Sequence, residues 1–395
     1  MGKSCSGMRR FFLSMFSLAA LAAMPVVMSA APARAEIQTS AEHGLLMDAT
    51  TGQILWQKDG LVAMPPASMS KLMTLELLFQ RLKDGRIKLT DTLPVSERAW
   101  RTQGSKMFVE LGARIPVEDL IRGIVIQSGN DACIVVAEGL GGTVEGFVDT
   151  MNKRAKEIGL QQSHFVNPDG LPDPDGQLMS ALDLAKLARH LIRDYPQYYH
   201  YFSETSFMWH GIKQPNRDLV LGDLPGADGL KTGHTDAAGY GITISAQRNG
   251  QRLILVLNGL RYPQYHNDYF PNIKRAEEAA RVMDMAFREF RHYTITNANQ
   301  VVGQAVVKGG AQPTVPVTPA QAIAVTMQVD SHSGVKTQVQ PDPNLAAPIA
   351  QGQKVGTMTI TAPDFPAMNV PVYATQAVSR ASIFVRAWDS VFHKH

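Results

Sequence analysis

Pro66-Ala67-Ser68-Met69-Ser70-Lys71-Leu72-Met73-Thr74 is the stretch on which the reading of this chain turns. Beyond it Leu75, Leu77, Leu78, Phe79 and Leu82 cover nearly every face of a helix spelled over residues 66–84, with Gly85 placed to stop it. A helix apolar all round belongs in the middle of a domain. At its start Ser68 and Lys71 stand three residues apart, so both project from one face, one turn apart. A serine becomes a useful nucleophile only beside a base, and a lysine can serve if it is held neutral. The helix N-terminus adds N–H donors and a positive dipole end that favour developing negative charge. The spacing by itself is a weak signal. A second copy, Ser333-Gly334-Val335-Lys336, lies in a Gly-broken turn with no helix to organise it, and reads as a decoy.

Two further elements strengthen the first. Ser128-Gly129-Asn130 falls between apolar helical segments and pairs a hydroxyl able to relay a proton with an amide able to hold a peptide group. Taken alone it also reads as an interhelical turn. Lys231-Thr232-Gly233 precedes a hairpin pattern and reads as a strand edge. There the lysine supplies charge, the threonine a hydroxyl, and the glycine room for a substrate backbone.

Around these motifs the chain divides by pattern. Residues 42–47 and 53–57 read as a hairpin ending its turn at Gly52. Helical segments follow over residues 117–127, 131–140, 144–158 and 180–193, the last opened by Ser180 and Asp183 at capping-box spacing. Residues 240–247 and 252–257 flank Asn249-Gly250, a preferred two-residue hairpin turn, and helical spacing returns over 273–290. After Arg291 the composition shifts to Val, Thr, Gln, Pro and Gly in short alternating runs, which reads as a small all-β domain over 292–378.

The ends carry addresses rather than chemistry. Lys3, Arg9 and Arg10, an apolar run from Phe11 to Met28 and the small residues Ala33 and Ala35 read as a signal peptide over residues 1–35, although a retained membrane anchor shares the pattern. In the tail, residues 379–395, Ile383, Phe384, Ala387, Trp388, Val391 and Phe392 fall on one helical stripe with Arg380, Arg386 and Lys394 elsewhere. That suits an amphipathic helix lying on an anionic membrane surface, with a helix docked on the β-domain as the alternative. The whole chain carries a net charge of +3. Loss of residues 1–35 removes four basic and no acidic residues, leaving 34 against 35 and a net charge of −1. Broad basicity, and with it nucleic-acid binding, is excluded as a property of the mature protein. Cys5 leaves with the leader, and Cys133 in its apolar context reads as core; neither an internal disulfide nor a cysteine metal site is available.

The order Ser68-x-x-Lys71, Ser128-Gly129-Asn130, Lys231-Thr232-Gly233 resembles that of penicillin-binding proteins and serine β-lactamases. The flanks, including residues 120–133 and Asp228-Gly229-Leu230-Lys231-Thr232-Gly233-His234-Thr235, resemble the low-molecular-mass D-alanyl-D-alanine carboxypeptidases over residues 41–290. The resemblance implies an α/β (α+β) transpeptidase-like catalytic domain over 36–291, followed by the β-rich domain and the tail. It implies that Ser68 attacks the carbonyl between two terminal D-alanines of a peptidoglycan stem peptide, that Lys71 takes its proton, and that Ser128 protonates the leaving amine. Burial and a cation at Lys231 would hold Lys71 neutral. Asn130, Lys231, Thr232, Gly233 and His234 would bind substrate, the backbone N–H groups of Ser68 and His234 would hold the oxyanion, and Arg261 would be a second carboxylate anchor. β-Lactams would acylate Ser68. No metal or cofactor is implied, and the protein would work in the periplasm on the outer face of the cytoplasmic membrane. A D,D-endopeptidase and a catalytically silent cell-wall binder remain as alternatives. A class A β-lactamase is disfavoured, because its deacylating glutamate element is replaced here by Asn167-Pro168-Asp169-Gly170-Leu171.

Overall fold

A computed structural model describes residues 37–174, 176–363 and 365–382. The leader expected over 1–35 and the amphipathic stripe expected beyond Ser382 lie outside the described residues. Among those described, no helix is long and apolar enough to cross a membrane.

The chain opens with the hairpin β1 (His43–Asp48) and β2 (Ile54–Lys58), turned through Gly52 at φ +77°. A 3-10 turn over Ala67–Ser70 leads into α1 (Lys71–Lys83), buried without interruption from Lys71 to Phe79. Ser68 therefore precedes the α-helix instead of lying within it, because Ala67 takes a left-handed φ of +46° and starts the chain on a tighter turn. The helical half continues with β3 (Thr92–Pro94), α2 (Glu97–Arg101), β4 (Arg114–Pro116), α3 (Val117–Val125), α4 (Asn130–Gly141), α5 (Val144–Glu157), α6 (Ala181–Asp194) and the short α7 (Pro196–Tyr199). Ser180 caps α6 by accepting from the Asp183 N–H at 3.1 Å. The reciprocal half of the expected capping box is absent: the Asp183 carboxylate instead accepts from the Gln162 N–H at 2.7 Å and the Ser163 hydroxyl at 2.9 Å, tying the preceding loop to the helix.

After the small hairpin β5 (Ser206–Trp209) and β6 (Ile212–Pro215) come β7 (Ala227–Thr235), β8 (Gly239–Arg248) and β9 (Gln251–Leu260). They complete an antiparallel sheet in the order β2-β1-β9-β8-β7. The β8–β9 turn uses Asn249 and Gly250, both at positive φ (49° and 80°), between the paired Arg248 and Gln251, as the dipeptide predicts. Side chains alternate across the sheet. Leu45, Met47, Ile254 and Val256 join the core with α1 and α3–α6. Leu46, Ile242, Ile244, Leu253, Leu255 and Leu257 face the helix α8 (Tyr269–Glu289) on the other side. Two covered faces explain why β8 and β9 read as nearly continuous apolar runs. The helix α8 starts four residues earlier than its periodicity suggests, with Pro271 in its first turn, where a missing N–H costs nothing.

The all-β part begins directly after α8 with β10 (Phe290–Thr296), then β11 (Gly303–Val306), β12 (Thr314–Thr318), β13 (Ile323–Gln328), β14 (Lys336–Pro341), β15 (Lys354–Ala362) and β16 (Phe365–Ala374). Five of these form a sheet ordered β11-β12-β16-β15-β14 over a core of Val315, Val317, Val355, Ile360 and Val372, while β10 pairs with β13. This β10–β13 ribbon docks on the first hairpin: Thr326 Oγ1 donates to the buried Asp48 Oδ2 at 2.6 Å, and Gln53 Nε2 donates to the Thr326 carbonyl at 2.8 Å.

Candidate active site

Three separate segments meet at Lys71. Its Nζ is fully buried and lies 2.7 Å from Ser68 Oγ and 2.8 Å from Asn130 Oδ1, and it donates to the Asp169 carbonyl. A neutral amine has two N–H donors and one lone pair. The Asn130 and Asp169 oxygens are pure acceptors, so they claim the donors and leave the lone pair for the Ser68 hydroxyl. Burial pushes the Lys71 pKa below its ordinary value, and Arg217 adds to that push. Lys231 is also fully buried, and its pKa too is pushed down, first by burial and then by Lys71, Arg217 and Arg275. The two buried lysines disfavour each other's charge, and Arg217 weighs on both.

Ser128 ends the α3–α4 connection at φ +59°, a strained conformation for a residue with a side chain, and its buried Oγ has no hydrogen-bond partner among the described residues. Backbone contacts impose that geometry. Gly129 N–H donates to the Gly123 carbonyl at 2.9 Å and Asn130 N–H to the Ser105 carbonyl at 2.7 Å. The buried Asp131 carboxylate gathers the N–H groups of Met107, Phe108, Val109 and Ala132. The Asn130 amide is oriented from both ends, by Lys71 on its oxygen and by the Gln103 carbonyl, 2.8 Å from its nitrogen. One amide hydrogen and one lone pair remain for a ligand.

The Lys231-Thr232-Gly233 segment lies on β7, at the free edge of the sheet as expected. Gly233 packs against the serine turn: a Cβ there would sit 2.9 Å from the Pro66 carbonyl oxygen and 3.2 Å from Ala67 Cβ. Lys231 Nζ donates to the Thr232 carbonyl at 3.1 Å. His234, at the exposed end of β7, stacks on Tyr240 with ring centroids 3.8 Å apart. Arg261 is held elsewhere: Nε donates to Glu42 at 2.8 Å, and its terminal nitrogens to the carbonyls of Asp236 and Ala237. It lines a cavity with His234 but does not join the cluster around Lys71.

Reading the sequence missed two arginines. The fully buried Arg275 of α8 reaches the Gly233 carbonyl at 3.5 Å and the Arg217 carbonyl at 3.3 Å, and burial pushes its pKa down to about 10. Arg217 donates to Ser105 Oγ at 2.8 Å. Neither sits in a recognisable motif; Arg275 shows in sequence only as a charge on the apolar face of an amphipathic helix. In the sequence Asp169 stands out only as part of the segment that replaces a glutamate element. Cys133 lies in the core as expected, its thiol pKa pushed up to about 12 by burial. Among the described residues, no group of three or more His, Cys, Asp or Glu could hold a metal ion.

Comparison with known proteins agrees with this geometry. The family profile described as peptidase S11, D-alanyl-D-alanine carboxypeptidase, matches residues 27–260, and that of the penicillin-binding protein 5 C-terminal domain matches residues 290–380. The chain is 35% identical to the D-alanyl-D-alanine carboxypeptidase DacA of Haemophilus influenzae over 89% of its own length and 88% of the relative's. The crystal structure of the D-alanyl-D-alanine carboxypeptidase DacD from Francisella tularensis is similar with a TM-score of 0.76 and 32% identity, over 88% of this chain and 95% of that one. Penicillin-binding protein D2 from Listeria monocytogenes, solved in ampicillin- and cefotaxime-bound forms, is similar at 26% identity over 63% of this chain and 98% of that one, with TM-scores of 0.56 and 0.57.

Proposed function

The chain belongs to the peptidase S11 family of D-alanyl-D-alanine carboxypeptidases, and on that premise we propose how its own residues carry the reaction. It is a serine-type hydrolase that removes the terminal D-alanine from peptidoglycan stem pentapeptides through an acyl-enzyme, and β-lactams inhibit it. Its fold is that of penicillin-binding protein 5, an α/β catalytic domain followed by a β-rich domain.

In our reading the lone pair of Lys71 accepts the Ser68 proton as Oγ bonds to the scissile carbonyl carbon. The oxyanion rests on the N–H groups of Ser68 and His234, an arrangement worth roughly 3–4 kcal/mol in comparable sites. Ser128, whose Oγ is unpartnered, passes its proton to the departing D-alanine nitrogen as the C–N bond breaks. It is reprotonated by Lys71, which thereby returns to its neutral form. Water then attacks the ester, gives a proton to Lys71, and the acid leaves as Ser68 regains its own. The substrate carboxylate lies by Lys231 and Thr232. Lys231, Arg217 and Arg275 gather there beside the neutral Lys71, and an arriving carboxylate relieves the repulsion among them. Arg217 and Arg275 take over the anchoring role expected of Arg261, whose guanidinium is committed to Glu42. The observation that carries the assignment is the placement of Lys71 Nζ among Ser68 Oγ, Asn130 Oδ1 and the Asp169 carbonyl.

Incubating the protein with a stem pentapeptide and with a cross-linked dimer, followed by mass spectrometry, tests this reading. Loss of one D-alanine from the pentapeptide supports it; cleavage of the dimer alone would make the protein an endopeptidase. We further propose that residues 1–35 direct export, that the enzyme works in the periplasm, and that residues 379–395 hold it on the outer face of the cytoplasmic membrane. The apolar stripe with its flanking basic residues supports this. Deleting 379–395 is expected to release the protein from membranes with peptide hydrolysis intact; unchanged membrane binding would refute the anchor.

A further inference from the structure

Where the catalytic part gives way to the β-rich part, a cavity of about 520 Å³ opens between the β8–β9 turn, the last turns of α8 and the start of β10. None of the residues that line it belongs to the cluster around Lys71. We propose that it is a binding site for a phosphate ester, gripped by Arg248, Arg288 and Arg291 and by the side-chain amide of Gln251.

The sign of the cavity follows from its pairings. Arg248 matches the one carboxylate in the wall, Asp284, at 2.7 Å, and lies over the Phe287 ring, 4.6 Å from its centroid. Its Nε donates to the Pro225 carbonyl at 2.8 Å. Arg291 donates through Nη1 to the carbonyls of Phe287 and Phe290, closing the end of α8, and forms no ion pair among the described residues. Arg288 is exposed and has neither a hydrogen bond nor an ion pair among them. Two positive charges are therefore unmatched, on a mature chain whose net charge is −1. His292 turns Nδ1 away toward Thr326 Oγ1 at 3.2 Å and Asp48 Oδ2 at 3.8 Å, which leaves Nε2 uncommitted.

A buried donor distinguishes this cavity from a charged stretch of surface. Gln251 lines it, is only 7% exposed, and its buried Nε2 has no hydrogen-bond partner among the described residues. A buried amide left unpaired is costly, and a ligand oxygen in the cavity would satisfy it. Guanidinium forks match the oxygens of a phosphate two at a time. Here three of them come from a turn, a helix and a strand, which suits a tetrahedral dianion better than a flat carboxylate. The volume lies in the range of small-molecule sites and exceeds what a bare phosphate fills, so the phosphate carries an organic group. A ligand held there touches α8 and the β8–β9 turn on one side and β10 on the other. It would fasten the two parts of the chain together.

Glycerol 3-phosphate is the probe, at constant ionic strength, read by calorimetry and by thermal unfolding of the full chain. At a tenfold excess over its Kd it is expected to raise the Tm of the wild-type protein by about 3 °C. Arg288→Glu, a change at an exposed and unpartnered side chain, should fold normally and lose that rise. Gln251→Met should weaken binding about fivefold. No rise in the wild-type protein, a rise that persists in Arg288→Glu, or an equal rise with acetate would overturn the site. Vesicles of phosphatidylglycerol, set against neutral phosphatidylcholine, then separate the two sources of such a phosphate. A loss of at least about fivefold in vesicle binding by Arg288→Glu identifies a lipid headgroup. Unchanged vesicle binding, with glycerol 3-phosphate binding lost, identifies a soluble ester; either result upholds the site.

Discussion

Ser68-Met69-Ser70-Lys71 and Ser333-Gly334-Val335-Lys336 share one spacing, and the folded chain treats them in opposite ways. At the second pair a 3-10 turn over His332–Gly334 runs into β14, Ser333 Oγ donates only to the Asp330 carbonyl at 3.3 Å, and both Ser333 and Lys336 face water. At the first pair the lysine is buried and its amine is seized by Asn130 and Asp169, residues 59 and 98 positions away. Spacing along a turn brings the two groups together; it does not make a base. The base is made by acceptors that only tertiary structure can deliver, in a place where charge is costly.

Four experiments would break or sharpen this contrast. Ser68→Ala is expected to abolish covalent labelling by a fluorescent penicillin and to lower peptide hydrolysis by at least about 10³-fold; persistent labelling would remove Ser68 as the nucleophile. Gly170→Ala is expected to cost about 10²-fold in labelling rate. A Cβ at Gly170, which has φ +79°, would lie 2.2 Å from the Ala67 carbonyl oxygen and 2.5 Å from Ser70 Oγ, so the loop must shift and carry the Asp169 carbonyl off Lys71. Wild-type labelling by a folded Gly170→Ala protein would show that this carbonyl is dispensable. The third concerns pH. Lys71 acts when neutral and its pKa is depressed, so the rate should climb with pH along a limb below the ordinary lysine value of 10.5. Arg217→Ala removes one cause of the depression and should move that limb to higher pH, slowing acylation several-fold near neutrality. An unmoved limb in the pH–rate profile would discard Arg217 as the tuning cation. Last, Ser333→Ala should leave labelling unchanged and alter stability by no more than about 0.5 kcal/mol in thermal unfolding.

The contrast also shows what could be read before any coordinates. The elements were legible where local rules govern them. Asn249-Gly250 sets its turn by backbone preference, the apolar run around Leu75 its helix by burial, and the alternating segments after Arg291 their strands by period. The convergence of Ser68, Lys71, Ser128, Asn130 and Lys231 was expected only through resemblance to a family, since nothing in spacing tells a chain which loops will meet. The residues that complete the centre were illegible for a physical reason. Asp169 contributes a backbone carbonyl, for which every residue type writes the same atom. Asp131 works by collecting backbone N–H groups. Arg275 is a lone charge in a helix rich in charges. Arg261 misled because proximity in sequence to β9 does place it beside His234, while Glu42, 219 residues earlier, claims its guanidinium.

The placing of β1 has a consequence for the order in which the protein assembles. Its neighbours are β2, a few residues on, and β9, whose Asn258 pairs with His43. A chain appearing from its N-terminus must carry that hairpin with one edge unmatched until more than half its length has emerged, and Thr326 closes onto Asp48 later still. Sheets closed by such distant pairings form slowly and expose a strand edge while they wait. The first hairpin is therefore the segment most in need of shelter from other chains, and the last part of the nucleophile's domain to gain its full support.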